Sequence, residues 1–157
     1  MLILKLLAAI LFWGFLAISI YRWGIPHSYS MLAYKWSKTT WTTVTILIAF
    51  LITPILIELG ALSAYQFLGF LTPVWLMLVA TTPNFLTDKT QNTLHNTFTG
   101  LCVVSNLLWL TLVTHYIWVS ILVVLLIAIL ALLTKSIKTS YIFWLEMIMF
   151  LTIFIII

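Results

Sequence analysis

MLILKLLAAILFWGFLAISIYR, residues 1–22, is the stretch on which the architecture turns. Lys5 gives it a weakly basic start before a long apolar run, as in a signal peptide. It shows no small-x-small cleavage site, however, and it carries bulky Phe12, Trp13 and Phe15. It reads as a retained first span. The number of spans, and with it the side on which each loop falls, follows from that reading.

The rest of the chain extends the pattern. Hydrophobic residues make up 64% of 157 and charged ones 6%, where soluble domains approach half and about a quarter. That excludes an ordinary soluble domain and implies lipid as the solvent. The length accommodates about five to seven spans of roughly 20 residues and leaves no room for a further soluble domain, so residues 1–157 form one membrane domain. A membrane-length window places apolar segments at about 2–21, 40–59, 64–82, 96–114, 117–134 and 139–157. The predicted fold is therefore all-α, a polytopic transmembrane bundle of six spans. Gly60 to Ser63 and His115–Tyr116 are short enough to make tight antiparallel hairpins of the spans they join.

The seven cations support an even count. With six spans, Arg22, Lys35, Lys38, Lys89, Lys135 and Lys138 share one face, and only Lys5 lies on the other. The loaded face is cytoplasmic by the positive-inside rule, which puts both termini on the non-cytoplasmic side. Cations so dispersed form no basic stripe for nucleic acid. Tyr21, Trp23, Tyr34, Trp36, Trp41 and Tyr141 belong to an aromatic belt at that boundary, and Tyr65, Tyr116 and Trp118 to the opposite one. Trp75, Trp109 and Trp144 fall deeper and are expected to pack between helices. Pro54 and Pro73 favour kinks within spans. Cys102, the sole cysteine, excludes an intramolecular disulfide and reads as a small buried hydrophobe. There is no GxxxG, so packing rests on bulky apolar contacts with Ser, Thr and Asn bonds, some of them from TTWTTVT (39–45).

Two polar segments meet on the cytoplasmic face: RWGIPHSYSMLAYKWSK (22–38) and PNFLTDKTQNTLHN (83–96). His27, Asp88 and His95 are the candidate catalytic residues, because imidazole exchanges a proton near neutral pH and a carboxylate can orient it. Arg22, Ser28, Ser30, Tyr34, Asn96 and Glu146 are the candidate binding residues. Glu146 stands out because an ionisable group inside a span is expensive unless partnered. The signal is unspecific: there is no HExxH, GxSxG or Walker loop. Two histidines also fall short of a three-ligand zinc set unless Asp88 joins. No metal and no cofactor is implied, and a hydrated connecting loop with His95 near a helix N-terminus explains the same residues. Glu58 and His115 read as interfacial, and Ser105 and Asn106 as interhelical glue.

The succession GIPHSYSMLAYKW, then YQFLGFLTPVWLMLVATTPNF, then LH and a span with SNLLW, resembles a family of small uncharacterised multi-pass membrane proteins of Bacteroidetes-type bacteria. The resemblance covers about residues 20–110. It implies a bacterial inner membrane, an organellar one being the alternative, and singles out Pro26, Ser28, Ser30, Tyr34, Pro83, Phe85 and His95. Thr82 stands where that family tends to a small residue. The family brings no activity with it.

Three functions are compatible with these features. The first is a non-enzymatic component that binds membrane lipid or a partner, either another membrane protein or a second copy. The second is a small lipid-active hydrolase or transferase using His27, Asp88 and His95. The third is a proton-coupled transporter using Glu146.

Overall fold

The computed structural model describes residues 2–133 and 141–156, and these are helical with no strand. The elements are α1 (Leu2–Trp23), α2 (Leu32–Lys35), α3 (Lys38–Leu59), α4 (Leu68–Ala80), α5 (Lys89–Leu112), α6 (Ile117–Leu133) and α7 (Tyr141–Ile156). Lys135 and Lys138, part of the charge map, lie outside the described residues. Two helices, α1 and α3, are long and apolar enough to cross a membrane.

Helical periodicity explains how α1 and α3 bury one face. Along α3 the buried positions include Trp41, Thr45, Ile48, Ile52 and Ile55, and along α1 Ala8, Phe12, Phe15 and Ser19. Each set recurs at three- and four-residue steps and so forms one stripe. α3 packs against α1 and α4, α4 against α5, and α5 against α6 and α7. α7 returns to α1 through Phe150, whose ring lies 4.4 Å from that of Phe12.

Local chemistry sets the ends of the elements that carry the site. The last carbonyls of a helix lack partners within it, and at the end of α4 threonines supply them. Thr81 Oγ1 donates to Leu78 O at 2.7 Å, Thr82 Oγ1 to Val79 O at 2.7 Å, and Thr42 Oγ1 reaches across from α3 to Ala80 O at 2.9 Å. α5 starts where Asp88 accepts from the amides of Thr90 and Gln91 at 2.8 and 3.1 Å, a side-chain N-cap.

Several expectations need correction. Span three, expected over 64–82, is helical only over Leu68–Ala80, because i to i+3 turns occupy the run before it, such as Gln66 N–H to Ser63 O at 3.2 Å. The cap at Asp88 starts α5 seven residues before the expected span at 96, so His95 sits two turns inside a helix. Trp41 is fully buried instead of interfacial, and Trp144 is exposed instead of packed between helices. Pro54, exposed, and Pro73, buried, do lie within helices, α3 and α4, where the sequence placed them. His115 turns the corner into α6 with φ of 58°, a left-handed conformation uncommon outside glycine and asparagine.

Candidate functional site

The two polar segments do meet, and His95 is where they join. Its Nε2 lies 3.0 Å from Ser30 Oγ and its Nδ1 3.0 Å from Thr82 Oγ1. The Thr82 hydroxyl proton already goes to Val79 O, so Thr82 accepts from Nδ1–H. Nε2 is then unprotonated and accepts from the Ser30 hydroxyl. The Phe85 ring stacks on the imidazole with centroids 4.2 Å apart, and Tyr34 packs edge-on against Phe85 at 5.4 Å. Tyr34 also takes the Leu86 amide on its hydroxyl oxygen at 3.0 Å, while the Lys38 ammonium donates to Asn84 Oδ1. These bonds close the 83–88 turn over the 22–38 segment.

On its other side the 22–38 segment is held by α7. The Tyr29 amide donates to the Glu146 carboxyl, and the Ser30 amide and hydroxyl lie against the same group. One residue column away, the Phe143 amide donates to His27 O at 3.0 Å. Tyr29 is buried, with its hydroxyl 3.2 Å from Thr45 Oγ1. Burial holds its phenol above the usual tyrosine range, so the ring stays protonated.

Beneath this junction lies a cavity of about 270 Å³ between α3, α4, α5 and α7, near the lower end of the range for small-molecule sites. Its wall is mostly apolar, including Leu76, Val79 and Phe150. Tyr29, Ser30, Thr45, Thr99, Asn106 and Glu146 are the polar exceptions. Cys102 lines it half-buried, with Sγ 3.5 Å from Thr72 O.

The candidate residues therefore separate into two groups. Ser30, Tyr34, His95 and Glu146 come together. His27 contributes only its backbone carbonyl and its side chain is exposed. Asp88 is spent on the helix cap, Asn96 bonds Asn92 on an exposed face at 2.7 Å, and Arg22 lies over Trp36 at 5.3 Å. Ser28 closes a local turn onto the Met31 amide at 3.2 Å. The His27, Asp88 and His95 set is not assembled, and among the described residues no three His, Cys, Asp or Glu side chains come together as metal ligands. The residue that sequence reasoning missed is Thr82, whose hydroxyl fixes the tautomer; Tyr29, one of the polar residues of the 22–38 segment, takes part through its amide.

Ser30 and His95 superficially form a nucleophile and base. Yet the Tyr29 and Ser30 amides, the donors nearest to hand for an oxyanion, are engaged by Glu146. The arrangement fastens the loops over a cavity better than it does chemistry.

His95 precedes the apolar part of α5, and burial pulls its pKa from 6.5 down to about 4, against the raising effect of the Val79 and Thr82 carbonyls. The unfolded chain therefore takes up a proton before the folded one. Stability from neutral His95 is complete above pH 6.5 and declines as the pH falls from 6.5 to about 4. The thermal midpoint of purified protein should fall across that window, and His95→Gln should remove that part of the slope. Equal slopes for the two proteins would show that His95 does not carry it.

The fold and site together define an all-helical bundle with a loop-capped, mostly apolar cavity. No known protein family, curated protein or solved structure matches the chain.

Proposed function

We infer that the protein is a multi-pass membrane protein that binds a lipid-like molecule in the cavity beneath its joined loops. The reading includes six spans, both termini on the non-cytoplasmic side, a bacterial or equivalent organellar inner membrane, and kinship with the small multi-pass proteins it resembles. Large side chains exposed around the helices, among them Ile10, Phe50 and Leu122, support a lipid surround, since soluble surfaces rarely carry such continuous apolar area. α6, with 17 residues, rises about 26 Å, within reach of a hydrocarbon core of about 30 Å.

The observation that carries the binding reading is the cavity itself: about 270 Å³, apolar in body, with Glu146 and Ser30 among its few polar groups. The test is photolabelling of the protein in nanodiscs with a medium-chain alkyl diazirine, mapped by peptide mass spectrometry. Label should concentrate on cavity-lining positions such as Val103 and Leu145, and Val103→Trp, which adds bulk to the wall, should reduce it at least fivefold. Label spread over the outer faces, unchanged by Val103→Trp, would defeat the reading.

One observation favours a second reading, proton-coupled transport through Glu146: Ser30 stands between the buried Glu146 carboxyl and His95, with its hydroxyl 3.0 Å from His95 Nε2. Reconstituted vesicles with a pH gradient and a trapped dye test it. Proton flux lost in Ser30→Ala would support it, and flux equal to that of protein-free vesicles would remove it.

A further inference from the structure

The chain has three acids and seven cations, and the structure commits all three acids away from Arg22. Glu146 takes the Tyr29 amide, Asp88 caps α5, and Glu58 stands at the far end of α3, about 30 Å along the helix from Lys38. Arg22, Lys35, Lys38 and Lys89 are exposed at the end of the bundle where α1 stops and α3 and α5 begin, the end that the 22–38 and 83–88 segments tie together. Four cations there stand against one exposed acid, Asp88, and that excess calls for an anion from outside the chain.

Arg22 is the cation best placed to hold one. Its guanidinium lies over the Trp36 ring at 5.3 Å and over that of Trp23 at 6.0 Å, within the range of cation–π attraction. The platform is itself fixed: the two indoles meet edge to face at 5.2 Å, Trp36 stacks on Phe15 at 5.3 Å, and its Nε1 donates to Ser19 Oγ at 2.8 Å. A guanidinium whose face rests on an indole keeps the N–H groups at its edge, and their fork matches two oxygens of a phosphate.

Depth identifies the source of that phosphate. α1 has 22 residues and rises about 33 Å, against a hydrocarbon core of about 30 Å. A bilayer crossed by α1 therefore ends beside Arg22, at the level of the headgroups, where tryptophan and tyrosine collect. Tyr21, the preceding residue, is 91% exposed and adds a ring at that level. A zwitterionic headgroup brings its own cation and leaves the excess positive charge unmet, whereas an anionic one reduces it.

Resting on the membrane part of the reading above and not on the cavity, we propose that Arg22, Trp23 and Trp36 form a site for the phosphate of an anionic phospholipid, with Lys35, Lys38 and Lys89 drawing such lipid to that end. The test is native mass spectrometry of the whole protein released from nanodiscs of equal parts phosphatidylcholine and phosphatidylglycerol, reading how much of each lipid stays bound. Phosphatidylglycerol should be retained over phosphatidylcholine, and Arg22→Gln should lower its retention about fivefold, the scale of one basic residue near an anionic leaflet. Arg22→Lys keeps the charge but loses the fork, and should recover less than half of that loss. Lys5→Gln removes one charge at the opposite end of α1 and should leave retention unchanged.

Equal retention of the two lipids overturns the site. A loss in Lys5→Gln as large as in Arg22→Gln overturns it too, by making net charge the cause. Should Arg22→Gln not fold, Arg22→Lys decides, because retention equal to that of the parent would show that the fork has no part. Phosphatidylglycerol displaced by excess inorganic phosphate would assign the site to a free anion and overturn the lipid source. Cavity labelling that fails while retention holds removes the binding reading and leaves this site, and the reverse pattern removes this site alone.

Discussion

Replacing Glu146 by alanine should release the 27–31 segment from α7 and destabilise the protein by about 3 kcal/mol. Glu146 receives the Tyr29 amide and lies against the Ser30 amide and hydroxyl, and a buried donor left without its partner costs about 1–3 kcal/mol. Alanine removes the acceptor and leaves the Tyr29 amide unpaired in a mostly apolar wall. Hydrogen exchange at Tyr29 and Ser30 should accelerate at least tenfold, while exchange in the middle of α3 stays close to that of the parent. Glu146→Gln keeps one acceptor oxygen and should recover about half of the loss. Because Ser30 stands between Glu146 and His95, a double-mutant cycle of Glu146→Ala with His95→Gln should give a coupling of about 1 kcal/mol, as residues in one network do. Unchanged exchange at Tyr29 and Ser30 in Glu146→Ala would show that the carboxyl is not the latch.

Why some of this was legible in the chain and some was not follows from what kind of group does the work. Ser30, Tyr34, His95 and Glu146 stand out because polar side chains are scarce in so apolar a sequence and each must be partnered when buried. His27 and Asp88 stand out for the same reason and mislead. One is solvated, and the other is consumed by a helix start that the membrane-length window placed seven residues too late. A window tuned to apolar content does not see that Asp88 followed by Lys-Thr-Gln caps a helix whose first two turns are polar. Thr82 acquires its role only because α4 ends at Ala80 and needs its carbonyls covered, and Tyr29 acts through an amide that every residue has. Trp41 has the composition of a belt residue, but its place on the buried stripe of α3 decides its position.

Gly69→Ala should cost about 3 kcal/mol, although the sequence around Gly69 contains no small-residue packing motif. A methyl group at Gly69 would sit 2.7 Å from Leu56 O and 2.9 Å from Leu56 C, with Trp109 Nε1 at 3.2 Å on the far side. The first two atoms are backbone of α3, and the third belongs to a buried indole of α5, so no flexible side-chain end can yield. Forcing an extra carbon into such a contact typically costs 1–3 kcal/mol, and here it must push α4 off α3 along the helix that ends at Val79 and Ala80. That displacement carries Thr82 away from His95, so the loop closure and the cavity should loosen together with the core. Gly14→Ala and Gly100→Ala set the scale, because nothing lies within 4 Å of a methyl group at either site. With both positions inside helices, each should stabilise by about 0.5–1 kcal/mol. Thermal unfolding of the three variants in one detergent decides the matter: a midpoint for Gly69→Ala at or above that of the parent would mean that α3 and α4 do not approach through Gly69, and the cavity they help to enclose would have to be redrawn.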